Sequence, residues 1–183
     1  MAPPARDART RVLDTATRLF YAEGVHTVGI DRIIAEAEVA KATFYHHFKS
    51  KDALVGAYLT EQYQLQRAGF AAMPGDGAAK IELIFTRIAE VSSLPGFRGC
   101  PFLNAAAEFA DPEHPVREVV AEYRVWFECL MRDLLAEAGH RDPAGGARLL
   151  LLLRDAAAVS GALDPPGRTR ETVGAALRGL LTA

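Results

Sequence analysis

The chain has 183 residues, half of them hydrophobic, and a net charge of −2. That is enough apolar material for a real core, either one unit or a small head on a larger body. Cys100 and Cys129 lie far apart with no metal-type spacing, which argues against a disulfide framework and fits a reducing cytoplasm. The segment Met1–Asp7 has no apolar signal region, and the most apolar run, Leu149–Leu153, is too short to span a membrane. Strand formers are sparse while Ala, Leu, Glu and Arg abound, so the predicted class is all-α. The charge is unevenly placed. Residues 1–51 carry eight Lys/Arg against six Asp/Glu, and residues 52–183 carry thirteen against seventeen. A basic head on an acidic body presents one end to a polyanion.

From Arg6 to Glu23, Val12, Leu13, Ala16, Leu19 and Phe20 recur at helical spacing, and Gly24 supplies the stop. A second helix is predicted over Gly29–Ala37 with Ile30, Ile33 and Ile34 inward. A third spans Lys41–His47. Phe44 and Phe48 share one of its faces, while Ala42, Tyr45, His46 and Lys49 fall on the other. This helix separates a core face from a polar, aromatic and basic reading face that suits a DNA groove.

Ser50 is a good N-cap for a long helix to about Met73, ended by Pro74-Gly75-Asp76-Gly77. Ala78–Ser93 carries the stripe Ile81, Ile84, Phe85 and Ile88. Cys100-Pro101 opens the next helix, with proline where its missing N–H costs nothing. After the break at 111–115, a strong pattern runs from Val116 through Val119, Val120, Tyr123, Phe127, Leu130, Met131 and Leu134. Asp142-Pro143 opens a helix to Leu163. Asp164-Pro165-Pro166-Gly167 breaks it, and Thr169 opens a last helix with Val173, Ala176, Leu177, Leu180 and Leu181. The expected fold is nine helices without repeats.

Residues 5–60 resemble the DNA-binding head of the TetR family of bacterial repressors. The likeness rests on Gly24, Ile33, Val39, the run Lys41-Ala42-Thr43-Phe44-Tyr45, Phe48 and Ser50-Lys51. The segment Gly99–Phe109 is similar to one branch of that family. The resemblance implies a helix-turn-helix domain over residues 1–55 and a helical effector-binding and dimerisation domain over 56–183. It implies that Thr43, Tyr45 and Lys51 bond phosphates and that Lys41, Ala42 and His46 face base edges, with His47 at the flank. Chemistry agrees: a hydroxyl and an ammonium near a helix start suit phosphate, and Ala42 can meet a thymine methyl. Asp31 lies near the DNA in this alignment. Its carboxylate either accepts from a cytosine amine or repels the backbone. Glu38 stands where the family usually places Gly, so a left-handed backbone there costs about 1 kcal/mol.

Adjacent histidines point in different directions on a helix, so His46 and His47 do not form the usual chelating pair, and no metal or other cofactor is expected. Cys100 follows Arg98 at a helix start, which favours thiolate, although simple packing also accounts for it. The resemblance implies an effector cavity in the body, and Cys100, Phe102, Asn104, Tyr123 and Trp126 are its candidates, as an apolar wall with a few polar groups. The small-residue and leucine-rich eighth helix and amphipathic ninth helix resemble half of an intersubunit four-helix bundle, with Leu149, Leu152, Ala156, Val173, Leu177 and Leu180 at a homodimer interface. The expected function is a non-enzymatic, cytoplasmic transcriptional repressor. It would bind a pseudo-palindromic double-stranded operator and leave it when a small molecule binds. The rival is a helical enzyme or thiol sensor using Cys100 with His114.

Overall fold

The computed structural model describes residues 7–165 and 167–181. The predicted first-helix start at Arg6 and Pro166 of the last break lie outside them. Among the described residues there are nine helices and no strand. In order they are α1 (Ala8–Glu23), α2 (Ile30–Glu36), α3 (Lys41–His47), α4 (Lys51–Ala71), α5 (Gly77–Ser92), α6 (Pro101–Glu108), α7 (Pro115–Glu137), α8 (Pro143–Leu163) and α9 (Arg168–Leu181). The helix boundaries follow the predicted stops and caps to within a few residues. Asp7 accepts from the Thr10 amide at 2.7 Å and caps α1, while Ser50 Oγ accepts from Ala53 at the start of α4. Asp142 accepts from Gly145 at 2.9 Å and caps α8. Each cap satisfies an amide that the helix itself leaves unpaired.

The chain forms two compact units. One runs to Gln64 and takes in Asn104–Val120; the other comprises Leu65–Leu103 and Ala121–Ala183. Helices α4, α6 and α7 each begin in one unit and end in the other.

In the first unit, α1, α2 and α3 pack on one another. Val12, Ala16, Leu19, Phe20, Ile33, Phe44, Phe48, Leu54, Val55 and Tyr58 are buried. Ile30 and Ile34, both predicted inward, are only half-buried, because a helix as short as α2 can sink one position fully and leaves its neighbours at the rim; Val39, in the turn after α2, is half-buried too. Arg32 holds Glu23 and Glu36, and Arg18 also reaches Glu36, so charged side chains cross-link α1 to α2. At the turn before α3, Glu38 has φ 52, the left-handed conformation anticipated from its place in the motif. Arg11 on α1 donates to the carbonyls of Ala37 at 3.2 Å and Glu38 at 3.4 Å, steadying this strained turn.

The loop after α1 has a partner distant in sequence. The Glu108 carboxylate at the end of α6 accepts from the backbone amides of Val25 at 2.9 Å and His26 at 2.6 Å. The His26 ring nitrogen Nε2 lies 2.9 Å from the Glu108 carbonyl oxygen. Gly24 has φ 90, and a Cβ there would sit 3.3 Å from Glu108 Oε1, so both backbone and space call for glycine. Arg117 donates to the Ala106 and Phe109 carbonyls and closes the end of α6.

In the second unit α5, α8 and α9 pack together. Its core holds Ile81, Ile84, Phe85, Phe127, Met131, Leu135, Leu150, Leu151, Val173 and Leu177.

Two stability effects follow. Replacing Glu38 with Gly removes the left-handed penalty, so E38G should be neutral or up to about 1 kcal/mol more stable in urea denaturation. A clear loss would show that the glutamate side chain fits this turn. Glu108→Ala removes the acceptor of the part-buried Val25 amide and of the exposed His26 amide and should cost about 1 kcal/mol. Hydrogen exchange should speed up at Val25 and His26 while Phe44 stays protected; unchanged exchange would show that the carboxylate does not hold them.

Candidate nucleic-acid interface

The short helix α3 is fixed by one side only. Phe44 is wholly buried and Phe48, at the helix end, nearly so, their rings 6.1 Å apart. The opposite face points outward: Lys41, Ala42, Tyr45, His46 and Lys49 are exposed, while Thr43 and His47 are half-buried. The His46 and His47 rings meet edge to face at 5.0 Å. Lys49 Nζ donates to the Tyr45 carbonyl at 3.2 Å, placing positive charge at the negative end of the helix dipole. The first unit thus presents a hydroxyl, a methyl, two imidazoles and two ammonium groups along one ridge. These are the group types that pair with phosphates and base edges in a major groove.

Lys51 lies differently from the exposed ammonium that the sequence suggested. It is half-buried, and its Nζ donates to the His26 carbonyl at 3.4 Å. Burial holds its pKa below the ordinary lysine value, against the opposing pull of Glu108 and Asp52. Lys41 Nζ lies 3.2 Å from Asp31 Oδ1 on α2. Two features escaped sequence reasoning. Arg9 sits over the Phe48 ring at 5.3 Å, where a helix-surface arginine gives no hint of an aromatic 39 positions on. The Glu108 clamp grips backbone amides, which leave no mark in sequence.

The residues proposed for an effector fall in both units. Asn104 belongs to the first; Cys100, Phe102, Tyr123 and Trp126 belong to the second. Phe102 and Tyr123 are wholly buried and stack face to face at 3.8 Å. The Tyr123 hydroxyl donates to Gln66 at 2.7 Å, and burial raises its pKa above the ordinary tyrosine value. Trp126 is half-buried and stacks on Phe70 at 6.0 Å. Arg154, just after the apolar run Leu149–Leu153 of α8, is buried, with its guanidinium 4.7 Å from the Tyr123 ring centroid and 5.6 Å from that of Phe127. It also donates to Asp155 and, at 2.8 Å, to Cys100 Sγ. Burial pulls its pKa down, but Cys100, Tyr123 and Asp155 outweigh this and hold it above the usual arginine value. A cleft of about 280 Å³ in this unit lies elsewhere, between Ser92–Pro95 and Gly161, Asp164, Pro165 and Thr169.

The residues proposed for a dimer interface divide as well. Leu149 and Leu152 are 57% and 61% exposed on α8, alongside exposed Ala156, Val159 and Leu163. Val173 and Leu177 are buried in their own unit, and Leu180 is half-buried against the same core.

Known proteins give this geometry a context. The model of the family described as bacterial regulatory proteins, tetR family, matches residues 12–58. The crystal structure of a TetR-family transcriptional regulator from Streptomyces coelicolor is 44% identical, with a TM-score of 0.91 over 96% of this chain and 94% of that one. The HTH-type transcriptional regulator UidR of Escherichia coli K12 is 33% identical over 70 residues, which are 38% of this chain; the match spans only 36% of that relative's length. A cysteine mutant of the TetR family transcriptional regulator CifR, complexed with 26bp double-strand operator DNA, shares the fold at 20% identity and a TM-score of 0.76, over 97% of this chain and 98% of that one. A likeness of this extent to the Streptomyces coelicolor protein, with the family model lying across the helices that expose Lys41, Tyr45 and His46, places the chain in the TetR family of bacterial transcriptional regulators.

Proposed function

We propose that the protein is a homodimeric repressor that binds a pseudo-palindromic operator and releases it when a small molecule binds the helical body. The observation that carries this reading is the two-sided α3: Phe44 is sunk in the core while Ala42, Tyr45 and His46 are exposed. A helix held from behind and bare in front is what major-groove reading requires. The family's DNA-binding members support it. The domains are then a DNA-binding head, residues 1–55, and an effector and dimerisation body, 56–183. Two heads about 34–36 Å apart would meet successive major grooves. An effector favouring a different spacing would shift the population away from the bound form.

In this proposal Thr43, Tyr45 and Lys51 bind phosphate, with Lys51 leaving the His26 carbonyl to do so. Lys41, Ala42 and His46 face bases, and His47 flanks them. The dimer is built on Leu149, Leu152 and Ala156, because large exposed leucines in a row need a cover. Val173, Leu177 and Leu180 support that surface from the core side. The effector contacts remain Cys100, Phe102, Asn104, Tyr123 and Trp126. Tyr123 and Phe102 must part to admit a ligand, since they fill their own space. The protein acts by binding rather than by catalysis. The rival reading, a helical enzyme or thiol sensor using Cys100 with His114, leaves the exposed polar face of α3 unexplained.

The direct test is binding of the purified protein to random-sequence duplexes, followed by selection of those retained. A selected two-fold motif supports the reading; retention without sequence preference overturns it. Within that assay, Lys51→Ala should weaken all duplexes alike and lower the salt slope by about 1. His46→Ala should instead change the base preferred at one position. An unchanged slope removes Lys51 from the phosphate set. For assembly, Leu152→Glu should give a folded monomer by sedimentation, since this residue is not in the subunit core. An equivalent charge at Leu177 should unfold the subunit, because a buried unpaired charge is costly. A dimeric L152E would place the interface elsewhere.

A further inference from the structure

Lys41 is the first residue of α3 and Asp31 lies in the first turn of α2, ten positions earlier. Their charged ends meet at 3.2 Å, yet both side chains stand well clear of the protein, 65% and 85% exposed. An acid so exposed on a DNA-facing surface calls for a reason, because alone it repels phosphate. Here the ammonium neutralises it at contact distance, so the pair offers a donor beside an acceptor with no net charge.

We propose that Asp31 and Lys41 jointly read one guanine–cytosine base pair in each half-site, an inference that rests on the DNA-binding role proposed above. In the major groove that pair presents guanine N7 and O6 as acceptors, then the cytosine N4 amine as a donor. O6 and N4 are hydrogen-bonded to each other, so they lie roughly 3 Å apart. The Lys41 ammonium and the Asp31 carboxylate oxygen have the same separation and the opposite polarity. The ammonium has three donors and can serve both O6 and N7, while the carboxylate takes the N4 amine. Every polar group on that edge is then paired. An adenine–thymine pair presents acceptor, donor, acceptor and methyl. There the carboxylate can take only the central amine and the ammonium only one flanking acceptor, which leaves the second acceptor unpaired. The order of the two side chains, one on α2 and one on α3, also fixes which strand carries the guanine. An exposed ion pair is weak enough to reshape onto the bases without a large cost.

The same duplex selection tests this, with wild type, Asp31→Ala, Asp31→Asn and Lys41→Ala. Asp31 and Lys41 are both solvent-exposed, so folding should be kept, and thermal melting confirms it. Wild type should return one invariant guanine–cytosine pair per half-site. In D31A preference at that position should fall by about tenfold while other positions keep theirs. K41A should relax the same position, and the double variant should do little more than either alone, because the two act on one base pair. If D31A instead tightens all duplexes equally and leaves preferences intact, Asp31 only repels the backbone and the inference fails. It fails too if adenine–thymine is selected there, or if the two substitutions relax different positions. A wild-type protein that selects no motif overturns the repressor reading itself, a result distinct from any of these.

Discussion

A helix of two turns does not persist in water, because nucleation costs more than so few hydrogen bonds return. Helices α2 and α3 are both of this kind, with seven residues each. Everything the reading face can do depends on the burial of Ile33 and Phe44, which anchors these short segments to α1. The arrangement is economical because each helix uses few positions for anchorage. Those positions fall on one side, and the rest of the surface is left free to vary in chemistry. The charged cross-links from Arg18 and Arg32 to Glu23 and Glu36 are exposed and individually weak, and they add to the apolar contacts between α1 and α2 rather than replace them.

The second unit solves another problem. A guanidinium in a core ordinarily needs a carboxylate and several acceptors to compensate lost hydration. Arg154 has one carboxylate, Asp155, which Arg124 shares at 2.6 Å. The remaining compensation comes from soft groups: two aromatic faces and a thiol sulfur. Such an environment is tolerant of small displacements, because neither a ring face nor a sulfur imposes a sharp angle.

Much of the head was legible in the sequence, for physical reasons. Phe44 and Phe48 are four apart, Gly24 can only be a stop, and Glu38 stands where a left-handed residue is needed; each is a local constraint. The helices of the body were equally plain, since Pro and Asp mark their starts and apolar stripes mark their faces. What the sequence hid depends on distant partners. Glu108 grips amides 82 and 83 positions away, and an amide is the same at every residue. Arg154 looked like the polar end of a leucine run, and only the rings packed on it reveal its burial. The stripe of α9 was recognised, but periodicity shows that a face is covered, not by which chain. Val173 and Leu177 turn out to be covered by their own subunit.

The first unit is discontinuous in sequence: its residues up to 64 are completed by 104–120, and a stretch of the other unit is threaded between them. This bears on how such regulators can be recombined. A chimera made by grafting the N-terminal segment onto another body would carry the loop amides of Val25 and His26 to a scaffold whose α6 was shaped for a different loop. The graft would look complete by motif and still lack its clasp. Exchange of reading heads among relatives is therefore constrained at two places in the gene at once, and the end of α6 should travel with the head it holds.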